Sequence, residues 1–274
     1  MEIINHRLFK KSGDPYAFVE SPNRSRGLKP EYLVIHYTAG RNAKETIEWF
    51  MKSEAASSAH LVIGKDGSIT QLVSFDEVAW HAGVSSWEDR VGLNKYSIGI
   101  ELDNAGSLKR HGSRWIAWFG DEYDDDEVIE AVHKNESVPR GWNIYPPDQI
   151  EAAVEVGSLL VNHYGLRDVV GHDDIAPTRK TDPGPAFSMD SYRARLMGRK
   201  VDQETRFVTT THLNIRSGPG TQFDTISGKP LPPGTSVEIL DRAGTWAQVD
   251  VLDDVGGIMD LQGWVHMRYL KRTE

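Results

Sequence analysis

The apolar residues of this chain change period near residue 206, and that change limits what the chain can fold into. Before it, helical and strand-like runs are mixed; after it, no helical period is visible. The later part reads "FVTTTHLNIR", "TSVEILDR", "WAQVDVL" and "GWVHMRYL", broken by "SGPG" and "PLPPG". Short period-two runs between glycine and proline turns specify a small all-β barrel. The 274 residues are enough for two domains. The expected division is therefore 1–200 and 206–272.

The first segment carries its own markers. "YLVIHYT" (32–38) is a compact apolar run, expected as a buried strand. "NAKETIEWFMKS" (42–53) sets Ile47, Phe50 and Met51 at helical spacing. "AHLVIGKDGSITQLV" (59–73) reads as two strands around the turn "KDG", and "YSIGIEL" (96–102) as a further strand. "PDQIEAAVEVGSLLVNHYG" (147–165) predicts an amphipathic helix, with Asp148 as its N-cap and Gly165 at its C-terminal end. "SMDSYRARLMGRK" (188–200) predicts a last helix. The fold class is α/β, a mixed central sheet flanked by helices. Between 104 and 146 the periodicity is poor, and this acidic, aromatic stretch reads as a long surface excursion.

Charge and composition exclude several function classes. A net charge of −9 argues against a nucleic-acid backbone binder or a protein drawn to an acidic membrane surface. No apolar run approaches membrane-spanning length, so no membrane insertion is expected. The opening "MEIINHRLFKKSGDPYAF" lacks the apolar stretch of a secretory signal. A cytoplasmic protein, one exported by another route, or one trimmed of its signal would all fit. With no cysteine, any metal must be held by His, Asp or Glu.

Those residue types cluster in three places. His36 ends the apolar run "VIHYT", where side chains emerge at a sheet rim. His172 follows "VVG", and Asp182 lies in "GHDDIAPTRKTDPGP", a polar loop stiffened by Pro177, Pro183 and Pro185. Two histidines and a carboxylate with an open fourth position are the usual composition of a catalytic zinc site. Taken alone, a histidine of this kind is more often an ordinary core or surface residue than a ligand, and the loop "RKTDPG" would be an ordinary turn. Glu101 ends "SIGIE", either capping the strand in solvent or aimed into a cleft as a general base. Lys180, two residues before Asp182, is a solvated loop lysine or a group that stabilises an oxyanion.

Taken in order, "YLVIHYTAG", "SSAHLVIGKDGSITQLV", "AWHAGVSSW", "NKYSIGIELDN" and "GHDDIAPTRKTDPGPAF" resemble the zinc-dependent N-acetylmuramoyl-L-alanine amidases, the group of AmpD-like and phage lysozyme-like amidases that also includes the peptidoglycan recognition proteins. The resemblance spans roughly residues 30 to 190. It implies an amidase-like mixed sheet with a zinc cleft along one face. It implies hydrolysis of the amide between the lactyl group of N-acetylmuramic acid and L-alanine of the stem peptide, in peptidoglycan or muropeptides. Carried over by position, His36, His172 and Asp182 match the zinc ligands, Glu101 the catalytic glutamate and Lys180 the lysine before the third ligand. The rival reading is a peptidoglycan-binding protein on the same fold that does not cut, and a third is a zinc hydrolase of another acyl–amino acid amide. Relatives that only bind typically lack a complete metal site, which favours the enzyme.

Beyond these five positions, His60 and His81 lie in motif segments and are expected to line the cleft, and Trp80 either stacks on a sugar or packs in the core. His133 is expected at the surface. In the second segment "LNIRSGPG", "LPPGTSVEIL", "GTWAQV" and "GWVHMRYL" resemble a bacterial SH3 domain. Trp246, Trp264 and Tyr269 are its candidate peptide-binding aromatics, with core packing the preferred reading for the two tryptophans. "LDDVGGIMDLQG" (252–263) reads as an enlarged loop.

Overall fold

The computed structural model describes residues 1–197, 206–243, 245–253, 255 and 261–272. Two compact units are present, Met1–Met197 and Gly198–Glu274.

The first unit is built on one mixed sheet. Its strands, in chain order, are β1 (Ala17–Phe18), β2 (Tyr32–Tyr37), β3 (Leu61–Ile63), β4 (Ile69–Gln71), β5 (Ser97–Leu102) and, after the intervening segments, a strand at Asp168–Gly171. β2 and β5 are buried almost throughout, as apolar runs covered on both faces must be. β5 pairs in parallel with β2 and β3, and β3 and β4 form the expected hairpin. Helix α1 (Ala43–Phe50) follows β2, and the Asn42 side chain caps it by accepting the Glu45 amide.

The stretch 104–146 is regular structure, contrary to its poor periodicity. It contains β6 (Ser107–His111), β7 (Arg114–Ile116), β8 (Glu122–Tyr123), β9 (Val128–Val132) and β10 (Pro139–Asn143), in the sheet order β8-β7-β6-β10-β9 with every pair antiparallel. Its strands are short, and several present mostly exposed residues, so alternation is too brief to read locally. The placement of His133 also differs from expectation. It is 2% exposed, and its Nε2 lies 2.9 Å from the Asp173 carboxylate. Lys134 pairs with both Asp173 and Asp174. This sheet is thus clamped to the segment that carries His172.

Helix α2 (Pro147–Tyr164) starts two residues earlier than an N-cap at Asp148 would place it. Pro146 is the N-cap, Pro147 the first helical residue, and Asp148 sits in the first turn beside the helix's positive end. Gly165 is left-handed, as a C-terminal glycine should be. Then come β11 (Asp168–Gly171), parallel to β2, one helical turn α3 (His172–Ile175) and helix α4 (Met189–Met197). The polar loop therefore begins with a helical turn, where Asp174 accepts the Gly171 amide. The main core lies between the sheet and α2 and α4, with Leu33, Ile35, Ile98 and Ile100 meeting Val156, Leu160 and Leu196. On the opposite face Tyr32 and Val34 pack with Ala82, Leu93 and Ile175.

The second unit holds β12 (Arg206–Thr209), β13 (Ser236–Ala243), β14 (Trp246–Val251), β15 (Gln262–His266) and β16 (Leu270–Arg272), ordered β15-β14-β13-β12-β16, all antiparallel. Its core is Ile215, Leu231, Val237, Ala247, Val249 and Val265. Trp246 and Trp264 are not part of it; both are half-buried on the other face of the alternating strands. Half of the enlarged loop, residues 254 and 256–260, lies outside the described residues. Among the described residues no helix is long and apolar enough to cross a membrane.

Candidate metal centre and active-site cleft

Strand register assembles the site. His36 stands opposite Glu101 in the parallel β2–β5 pair, and Gly171 stands opposite Ile35 in the β2–β11 pair. His172 is the next residue after Gly171. Three neighbouring strands thus deliver His172, His36 and Glu101 at their carboxyl ends, where open α/β sheets present ligand sites. Asp182 arrives from the loop after α3, which is anchored on both sides of it. The Asp182 carbonyl accepts the Asp173 amide at 2.8 Å, the Tyr145 hydroxyl donates to the Pro183 carbonyl at 2.8 Å, and Tyr37 and Thr181 share a hydroxyl hydrogen bond.

His36 Nδ1 lies 2.8 Å from His172 Nδ1, and each lies 2.9 Å from Asp182 Oδ2. All three side chains are buried, and together they form a group able to hold a metal ion. The far sides of the two rings support that chemistry. His172 Nε2 faces the Ala82 carbonyl at 3.1 Å. A carbonyl only accepts, so Nε2 carries a proton there, and Nδ1 is the nitrogen turned toward His36 and Asp182. The Ser97 hydroxyl gives its proton to the Leu93 carbonyl, so it can only accept from His81 Nε2, beside the Ser97 carbonyl. His81 Nδ1 is then an acceptor, and it takes the His36 Nε2 proton at 2.9 Å. Burial, reinforced by the neighbouring His172, lowers the His36 pKa to about 4, so its ring is neutral near pH 7. The Nδ1 atoms of two histidines and a carboxylate oxygen therefore converge on one point. Such a set is repulsive alone and complementary to a cation, and the backing hydrogen bonds are those that orient metal-binding histidines.

Glu101 is 9% exposed, and its Oε2 has no hydrogen-bond partner. Burial, with Asp182 nearby, pushes its pKa well above the ordinary carboxylate range, partly offset by Lys180. A buried, unpartnered carboxylate facing a metal-type cluster is poised to accept a proton. Glu101 and Lys180 both line a cleft of about 800 Å³ with His36, His172 and Asp182.

The remaining predicted residues divide. Trp80 lines the cleft, half-buried, with its indole N–H toward Ser25. His81 also reaches the cleft, yet both its ring nitrogens are taken, so it stands behind His36 rather than offering a free group. His60 does not line the cleft. It is fully buried against Phe75, with Nε2 donating to the Glu77 carbonyl and Nδ1 accepting the Gly99 amide. Its place in a motif marks a clasp between strands, which sequence cannot tell from a substrate contact. Other cleft residues escaped the sequence reading. Arg179 donates to the Ala82 and Val84 carbonyls. Trp49 is 49% exposed, and a tryptophan on the polar face of "KETIEWF" was a readable signal. Trp118 gave none, because its neighbours in the cleft are distant in sequence.

A family model described as N-acetylmuramoyl-L-alanine amidase matches residues 26–185, and one described as bacterial SH3 domain matches residues 211–271. The chain is 35% identical over 164 residues to N-acetylmuramoyl-L-alanine amidase AmiD of Escherichia coli (strain K12), covering 57% of this chain and 49% of AmiD. It is 36% identical over 138 residues to 1,6-anhydro-N-acetylmuramyl-L-alanine amidase AmpD of Salmonella typhimurium (strain SL1344), covering 50% of this chain and 56% of that protein. The chain spans about half the length of the curated relatives it matches. Among solved structures, the complex of AmiD from E. coli with anhydro-N-acetylmuramic acid-L-Ala-D-γ-Glu-L-Lys shares 30% identity, covers 64% of this chain and 59% of that one, and gives a TM-score of 0.45.

Proposed function

Because this chain belongs to the N-acetylmuramoyl-L-alanine amidase family, we propose that it hydrolyses the amide between N-acetylmuramic acid and L-alanine in peptidoglycan or muropeptides, with zinc held by His36, His172 and Asp182. The same reading assigns 1–200 as the zinc amidase domain and 206–272 as a bacterial SH3-like domain. The observation that carries it is the convergence of two histidine nitrogens and a carboxylate oxygen, from His36, His172 and Asp182, in the same cleft as Glu101, whose Oε2 has no partner.

A zinc ion bound there supplies Lewis acidity, toward the amide carbonyl and toward water. The Glu101 carboxylate takes the proton of the attacking water and passes it to the leaving nitrogen of L-alanine. The Lys180 ammonium lies in the same cleft and offsets the negative charge that grows on the carbonyl oxygen. The His81–Ser97 relay holds the His36 ring in the tautomer that keeps Nδ1 free.

The test pairs zinc content with release of free stem peptide from purified peptidoglycan and from a soluble muropeptide. Wild type should hold one zinc per chain and release peptide. Glu101→Gln should keep the zinc and lose activity by about 10²–10⁴-fold, the usual worth of a general base. Asp182→Ala should lose both. Full zinc with no release from either substrate would sink the reading.

A further inference from the structure

The turn between β7 and β8 carries Trp118 into the cleft, and nothing in the proposed chemistry uses it. Trp118 is 78% exposed. An exposed indole at a turn is normally free to swing, but this one is fixed at several points. Its N–H donates to the Ala39 carbonyl at 2.7 Å, in the segment that follows β2. Its ring meets Phe119 edge to face. Arg41, from that same segment, holds the turn by donating to the Phe119 carbonyl and to both oxygens of Asp121, while its guanidinium lies over the Phe119 ring. The indole's polar edge is therefore spent on the protein, and what it offers to the cleft is its apolar face.

Two further indoles, Trp49 and Trp80, line the same cleft. The cation on the Trp118 side, Arg41, is paired with two carboxylates, Asp121 and Glu45, so this wall offers no uncompensated positive charge to an anionic ligand. The cations Arg179 and Lys180 belong instead to the segment between His172 and Asp182. Resting on the function proposed above, a substrate has an uncharged amino-sugar part and a carboxylate-bearing peptide part. A fixed aromatic face whose neighbouring cation is already paired suits the C–H face of a pyranose ring, and it does not suit an anionic peptide.

We propose that Trp118, presented by the β6–β10 sheet, is a platform for an N-acetylhexosamine ring of the glycan strand beyond the sugar that bears the scissile amide. The sheet at 104–146 then sets preference for glycan-bearing substrate over isolated muramyl peptide.

Two measurements on the full chain test this. The first is hydrolysis of two substrates with the same stem peptide, one on N-acetylmuramic acid alone and one on a tetrasaccharide of alternating N-acetylglucosamine and N-acetylmuramic acid. Trp118→Ala should raise KM for the tetrasaccharide about tenfold, the worth of one aromatic stacking contact, with kcat unchanged. It should leave the monosaccharide substrate alone, and Trp118→Phe should recover part of the loss. Equal KM values for wild type and Trp118→Ala on the tetrasaccharide would overturn the proposal while leaving the amidase reading standing. The second is calorimetric binding of peptide-free tetra-N-acetylchitotetraose, which decides the matter even if no hydrolysis is found. Binding by wild type that weakens in Trp118→Ala supports the platform. No binding by wild type, or equal binding by both proteins, refutes it.

Discussion

His60 shows how a buried residue can look functional. Its ring has both nitrogens satisfied by backbone groups of separate segments, at Glu77 and Gly99. Burial lowers its pKa to about 4, from an ordinary value near 6.5. The unfolded chain therefore binds a proton below pH 6.5 that the folded chain refuses until about pH 4. Stability contributed by neutral His60 is present above the unfolded value and is lost as pH falls through this window, by about 3 kcal/mol in all. His60→Gln removes that dependence. Denaturant titrations of wild type and His60→Gln should show the variant less stable at pH 8, with the gap narrowing toward pH 5. A gap that stays constant with pH would mean that His60 titrates alike in the folded and unfolded chain, as an accessible ring would.

At the scale of elements, β5 works through both of its faces. Ile98, Ile100 and Leu102 enter the main core, while Ser97, Gly99 and Glu101 face the site. Gly99 is needed there for closeness: a Cβ at that position would lie 2.6 Å from the His81 ring. Gly99→Ala must displace His81, and with it the acceptor of the His36 Nε2 proton. Zinc affinity should then fall about 10–100-fold, the usual cost of disturbing a group behind a ligand. Competition with a chromophoric chelator would read it. His81→Ala, which opens space instead of creating a clash, should give a loss of the same kind. Unchanged affinity in both variants would show that the relay does not orient His36.

The whole molecule consists of two units with separate cores, one around Leu33, Ile35, Val156 and Leu160, the other around Ile215, Val237, Val249 and Val265. All five residues of the proposed machinery belong to the first unit. A fragment of residues 1–200 should therefore fold, bind one zinc and do so with the affinity of the full chain, as measured by calorimetry. A fragment that fails to fold, or binds zinc far more weakly, would show that the second unit completes the first.

Local pattern was enough for the change of texture at residue 206, the strands at 32–38 and 96–102, the hairpin and helix α2, because period and turn residues act within a few positions. The order of the motifs was enough for the family. The sheet at 104–146 was not legible, since short strands with exposed residues owe their pairing to partners far along the chain. Neither were the clamp from His133 to Asp173, the clasp by His60, nor the arrival of Trp118 at the cleft. The same holds for the metal centre: residue types named the candidates, but the 2.8 Å approach of His36 and His172 follows from parallel register between β2 and β11, and the freedom of their Nδ1 atoms follows from carbonyls at Ala82 and Ser97. Sequence determines which groups are available and which segments bury them. Only tertiary structure decides which lone pairs are left without a proton, because that depends on hydrogen-bond partners that the chain supplies from elsewhere.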